Sequence, residues 1–176
     1  IQKPWPVLIN AGNSDAGREF SARHVDFNFI SITTEEEAQI KIDDVKRRAA
    51  AYKRECGVMT YGIVCCRDSE KEAQDLYDSI IRAGDWQATE NIMNLLSIES
   101  ESYGDSEAIR RLGERFIAGW GGYPLVGTPE QVVEKMQKIH DMGIEGVILS
   151  WLDYHEELKY FGQRVMPLLR EAGLRK

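Results

Sequence analysis

Four short apolar runs, each followed by a segment with helical spacing, restrict this 176-residue chain more than any other feature. The runs cover residues 7–11, 25–32, 58–66 and 146–151. Each is bounded by turn signals and rich in β-branched residues, as strands buried on both faces are. The helical segments have recognisable starts. Thr34 with Glu37, and Ser69 with Glu72, have capping-box spacing. Thr128-Pro129-Glu130-Gln131 combines an N-cap threonine, a proline at the first helical position and a glutamine three residues after the cap. Gly143 stands where a left-handed residue would close a helix over 129–142. Strands alternating with helices imply parallel pairing through right-handed crossovers.

Four strand–helix units are half of an eight-stranded barrel, which takes about 250 residues. The expected fold is α/β, half of a (β/α)8 TIM barrel. A complete doubly wound sheet is the rival. It is disfavoured because the first run lies almost at Ile1, and because the turn at Ala11-Gly12-Asn13-Ser14 lacks Gly-x-Gly-x-x-Gly spacing. The rhythm breaks at Asp85. Helical patterns at 90–97 and 106–117 are separated by a polar stretch at 99–105 and end in a glycine-rich loop at 119–124. Residues from about 85 to 124 therefore read as a helical insertion before the last strand. The four runs are expected to pair in chain order, with residues 10–14, 32–34 and 151–153 at one end.

Acidic and basic residues interleave to a net charge of −7, which argues against nucleic acid as a partner. No apolar run approaches the roughly 20 residues of a membrane span, so no membrane partner is expected. Cys56, Cys65 and Cys66 form no Cys-x-x-Cys pair, and neighbours on a strand point to opposite faces. Reduced thiols packed in a cytoplasmic protein, with no metal, is the expectation. No Ser-His-Asp, paired-carboxylate or His-Glu-x-x-His arrangement is present. His24 and His140 read as surface or packing residues. The charged segments 34–55, 69–82 and 153–170 read as outer helices, with Ile40, Val45 and Ala49 facing the strands and the charges facing water.

The first turn carries the most chemistry. An apolar strand runs into Ala11-Gly12-Asn13-Ser14-Asp15-Ala16-Gly17 and straight on into an amphipathic helix. Such a turn leaves backbone N–H groups free at the positive end of a helix, where phosphate binds. Ser14 then donates its hydroxyl to an anion; alternatively, Asn13 or Ser14 is simply the N-cap. Gly12 reads as a tight-turn residue and Gly17 as a close-packing one. Asp15 sits beside the anion or points away to stabilise the helix start. Trp151, Asp153, Tyr154 and His155 follow the last run, at the rim where barrels gather binding groups. Trp151 and Asp153 are the candidate substrate-pocket residues. The plainer reading has Trp151 plugging the barrel and His155-Glu156-Glu157 opening a solvated helix.

Residues 11–17, followed by Phe20-Ser21-Ala22-Arg23-His24-Val25-Asp26-Phe27-Asn28-Phe29, resemble the second-half phosphate motif of the bacterial-luciferase-like flavin monooxygenases. The branch containing the pyrimidine oxygenase of uracil catabolism is the nearest match. Leu125-Val126-Gly127-Thr128-Pro129-Glu130-Gln131-Val132 is similar to the start of that family's penultimate helix. Gly143-Ile144-Glu145-Gly146-Val147-Ile148-Leu149-Ser150, then Phe161-Gly162 and Val165-Met166-Pro167-Leu168-Leu169, resemble its last strand and helix.

The resemblance implies the C-terminal half of the barrel, four strand–helix units, with the flavin-ring contacts on strands outside this sequence; no catalytic residue is assigned. It implies reduced FMN supplied by a flavin reductase, dioxygen, a small-molecule substrate, and Gly12, Asn13 and Ser14 at the FMN phosphate. The alkanesulfonate branch carries an Arg and a His where this chain has Thr60-Tyr61-Gly62-Ile63-Val64, which argues against a sulfonate substrate. A non-catalytic flavin- or phosphate-binding half-barrel and a deazaflavin-dependent oxidoreductase are the alternatives on the same fold. A half-barrel leaves the edges at 7–11 and 146–151 unpaired and an apolar layer uncovered, so a homo-oligomer or pairing with the other half is expected.

Overall fold

The computed structural model describes residue 3, residues 5–96 and residues 106–175. The polar stretch at 99–105 lies outside the described residues. The chain divides into two compact units: Ile1–Tyr61 with Lys138–Ile148, and Gly62–Gln137 with Leu149–Lys176.

In the first unit, β1 (Ile9–Asn10), α1 (Asp15–His24), β2 (Phe27–Phe29), α2 (Glu35–Ala51) and the first half of β3 (Gly57–Cys66) follow one another. β1 pairs parallel with β2, Ile9 opposite Phe27, and β2 pairs parallel with β3, Phe27 opposite Gly57. Residues 10–14 and 32–34 therefore leave their strands at the same end. β5 (Gly146–Ser150) also pairs with β3, and just before it the Glu145 N–H donates to the Val58 carbonyl at 2.8 Å.

β1 is shorter than its apolar run. The Leu8 N–H donates to the Asp26 carboxylate at 2.8 Å, so a side chain stands where a ladder partner would. Val7 and Ile9 are left 53% and 49% exposed. On α2, Ala38, Ile42, Val45 and Ala49 are buried, a stripe at helical spacing. Ile40, expected to face the strands, is 69% exposed. Two residues along a helix is about 200°, so a stripe through Ala38 and Ile42 puts Ile40 on the opposite side.

The second unit holds the rest of β3, then α3 (Glu70–Ala83), α4 (Trp86–Leu95), α5 (Ser106–Gly119), β4 (Tyr123–Gly127), most of α6 (Pro129–Asp141), and α7 (Tyr154–Glu171). β4 departs from the sequence reading, in which residues 119–124 form a loop and 125–127 lead into the helix capped by Thr128. It pairs parallel with β3, Gly62 opposite Tyr123 and Cys66 opposite Gly127. Five residues interrupted by Pro124 are too few to display a period, and proline is admitted because β4 ends the strand order.

The helix caps form as expected. Ser69 accepts the Glu72 N–H at 3.2 Å. Thr128 and Gln131 bond reciprocally, side chain to backbone, at 3.0 and 3.4 Å. Gly127 has φ +147° and Gly143 φ +95°, backbone that favours glycine. Cys65 packs with Ala73 and Val126 against Leu76, Tyr77 and Ile80. Burial pushes the Cys65 and Cys66 thiols up to about 12, which makes them packing residues rather than nucleophiles.

Candidate functional site

Ser14 caps α1. Its backbone is extended, its Oγ accepts the Gly17 N–H at 3.1 Å, and its carbonyl accepts the Arg18 N–H at 2.9 Å. The N–H groups of Asp15 and Ala16 have no acceptor among the described residues. Capping and anion binding are thus compatible at Ser14: the oxygen lone pair takes Gly17, and the hydroxyl hydrogen remains for an outside acceptor. The side chain is exposed, so an anion can reach it.

Gly12, Asn13 and Ser14 come together in one turn, and Gly12 owes its identity to Gly17. A Cβ on either would lie within 2.8 Å of the other's backbone. The expected tight-turn explanation for Gly12 is corrected here. It has no left-handed φ, and close approach of the turn to α1 is what excludes a side chain.

The turn is held from below by three polar side chains. Asn28, fully buried on β2, donates its Nδ2 to the Asn10 carbonyl (3.1 Å), the Gly12 carbonyl (3.2 Å) and Ser21 Oγ (2.9 Å). Asn10 Nδ2 reaches Ser21 Oγ at 2.9 Å and the Gly17 carbonyl at 3.2 Å. Ser21 Oγ donates to the Gly17 carbonyl at 3.0 Å. Motif reasoning missed this network. The available signal was Asn28 itself, an amide at an inward position in an apolar run, where strands seldom place one.

A charged cluster flanks the turn. Arg18 donates to the Asn13 carbonyl at 2.5 Å and to Asp44 at 2.7 Å. Arg48 bonds Asp44 at 3.0 Å, Glu19 at 2.9 Å, and Asp15. Asp15 therefore turns to α2, and its charge is met by Arg48. Burial alone would raise the Asp44 carboxyl, but Arg18 and Arg48 outweigh it and hold it at about 2. The Tyr52 hydroxyl, then Arg48, hold Glu19 at about 2 as well. The charges on these helices are thus not merely a solvated face.

In the second unit, Asp153 caps α7: its carboxylate accepts the His155 N–H at 2.9 Å. The Trp151 ring packs edge-on against Tyr154 (5.5 Å) and Phe161 (5.4 Å), and its Nε1 is buried without a partner among the described residues. Glu157, expected to be solvated, is buried. It accepts from Arg67 at 2.6 Å and from the Asp153 N–H at 2.9 Å. His24 and His140 are exposed, and His24 lies 5.0 Å from the Phe20 ring. Among the described residues no group of side chains is arranged to hold a metal ion, and no helix is long and apolar enough to cross a membrane.

Comparison with known proteins bears on this geometry. The FMNH(2)-dependent dimethylsulfone monooxygenase of Pseudomonas putida is 28% identical over 97% of the chain and 48% of its own length. The protein of that description from Pseudomonas fluorescens (strain Pf0-1) is 29% identical over 94% and 47%. The chain thus spans about half the length of the curated relatives it matches. The crystal structure of DmoA from Hyphomicrobium sulfonivorans superposes with a TM-score of 0.80 at 21% identity, over 97% of the chain and 42% of DmoA. That of the long-chain alkane monooxygenase LadA gives 0.77 at 24%, again over 97% and 42%. The fold is therefore the α/β parallel-sheet fold of these proteins, matched over somewhat under half of each. The family model for luciferase-like monooxygenases matches residues 1–146, so the chain belongs to the luciferase-like monooxygenase family.

Proposed function

We propose that the protein containing this chain is an FMN-dependent monooxygenase, and that the turn at Gly12, Asn13 and Ser14 receives the FMN phosphate. The observation that carries this reading is the donor set at the start of α1: an exposed Ser14 hydroxyl beside the unused N–H groups of Asp15 and Ala16. The residues fit the group. A phosphate near neutral pH carries up to two negative charges, and it would meet these donors at the positive end of the helix. Arg48 engages the Asp15 carboxylate, which lessens its repulsion of an arriving anion. Family membership and the activity named for the two Pseudomonas relatives support the reading.

Reduced FMN, delivered by a separate reductase, supplies the electrons with which one atom of dioxygen passes to a small organic substrate and the other leaves as water. Trp151 is placed by Tyr154 and Phe161 with a buried indole N–H that has no acceptor among the described residues, suited to a substrate oxygen; Asp153 follows it at the rim. A neutral oxygenated molecule fits better than a sulfonate, because residues 60–64 offer no cation. In this reading residues 1–176 are the C-terminal half of the barrel, and the helical segment from about 85 to 122, ahead of β4, is an insertion before its last strand. The protein works in the cytoplasm, where its thiols stay reduced. The exposed edge at Val7 and Ile9 supports an oligomer, which light scattering of the full-length protein would measure.

The test is to mix the full-length protein, reduced FMN and oxygen with candidate substrates and follow oxygen incorporation into product. Incorporation dependent on reduced FMN supports the reading. FMN binding with no oxygenation of any substrate would make the protein a flavin binder. A deazaflavin absorbance on purification would assign it to the deazaflavin-dependent oxidoreductases.

A further inference from the structure

Asn28 lies on a different strand from the turn at Gly12, Asn13 and Ser14, yet its amide nitrogen touches two carbonyls that bracket the strand exit, those of Asn10 and Gly12. Carbonyl oxygens only accept, so the nitrogen end of the amide must face them. The other end, Oδ1, is buried and has no partner among the described residues. The amide is therefore not there as a fully satisfied core group; its nitrogen end holds the two carbonyls. A trans peptide is planar, with its C=O and N–H pointing in opposite directions. Fixing the Gly12 oxygen on the buried Asn28 amide therefore turns the Asn13 N–H to the opposite side, away from Asn28. That N–H has no acceptor among the described residues.

We infer that Asn28 is a positioning residue for the anion-binding turn: by holding the Gly12 carbonyl it aims the Asn13 N–H to join those of Asp15 and Ala16 on the FMN phosphate. The inference rests on the phosphate reading above, but it concerns a residue that does not touch the phosphate itself. Ser21, which accepts from the same amide at 2.9 Å, keeps Asn28 in register with α1.

The experiment compares FMN with riboflavin, which lacks the phosphate, in equilibrium titrations of the full-length protein. The wild type is expected to prefer FMN. Asn28→Ala is expected to lose about tenfold of that preference, the scale of one misplaced hydrogen bond to a charged group, while riboflavin affinity holds. Asn28→Ser, which retains one donor, is expected to lose less. An unchanged preference in both variants overturns the inference, and so does equal loss of both ligands, which marks a purely structural role. A wild type that fails to prefer FMN overturns instead the phosphate reading on which the inference stands.

Discussion

Gly12 and Gly17 meet backbone to backbone: a Cβ built on Gly17 would lie 2.7 Å from the carbonyl carbon of Gly12. Gly17 lies in the first turn of α1, where alanine ordinarily stabilises a helix by about 1 kcal/mol over glycine. Here the sign reverses, because the atoms in the way are main chain and cannot swing aside. Gly17→Ala is expected to destabilise by about 1–3 kcal/mol, as overpacking does, and chemical denaturation measures it. A stabilised variant would mean the turn stands farther from the helix.

Ser14 separates two roles by choice of substitution. Ser14→Gly costs only a few tenths of a kcal/mol as a cap, but it removes the hydroxyl that would reach a phosphate. Its FMN affinity is expected to fall by about 1.5–3 kcal/mol with little change in melting temperature. Ser14→Asp keeps the cap and adds a negative charge at the anion site, so its FMN affinity should fall further still. Paired titrations and melts check both.

The acid limb of stability should report the Arg18–Arg48 cluster. Asp44 and Glu19 have carboxyls lowered to about 2 in the folded chain, from ordinary values of 3.8 and 4.5. Between those values the unfolded chain binds more protons than the folded one. Stability is therefore present above about pH 4.5 and lost as pH falls towards 2. Melting temperature against pH should fall through that window, and Asp44→Asn should flatten part of the fall. A wild-type curve that stays flat from pH 5 to 2 would contradict this.

Arg67 and Glu157 form a partly buried pair, with Arg67 also donating to the Cys66 carbonyl at 2.8 Å. Removing Glu157 leaves the Arg67 guanidinium, one-third exposed, and the Asp153 N–H without the carboxylate they share. Glu157→Ala is expected to destabilise by more than 1 kcal/mol, whereas the double change with Arg67→Met should recover part of the loss. Urea midpoints of the single and double variants give the coupling.

Much of this was legible in the sequence. Thr34, Ser69 and Thr128 announced their helices because a cap acts within one turn of the chain, and β-branched runs announced β1, β2, β3 and β5. β4 was hidden because Pro124 interrupts a segment of five residues. Ser14 and Gly12 were legible as a turn, but the reason for Gly12 was not, since it is a contact with Gly17 made in three dimensions. Asn28 and Glu157 escaped for the same cause. Their partners lie 16 and 90 residues away in sequence, and no local pattern shows a buried polar bond of that span.

The phosphate site at the start of α1 is tested most directly by a crystal structure of the full-length protein with FMN. Phosphate oxygens are expected within about 3 Å of Ser14 Oγ and of the Asp15 and Ala16 nitrogens. An FMN bound with its phosphate elsewhere, and with Ser14 touching only Gly17, would contradict it.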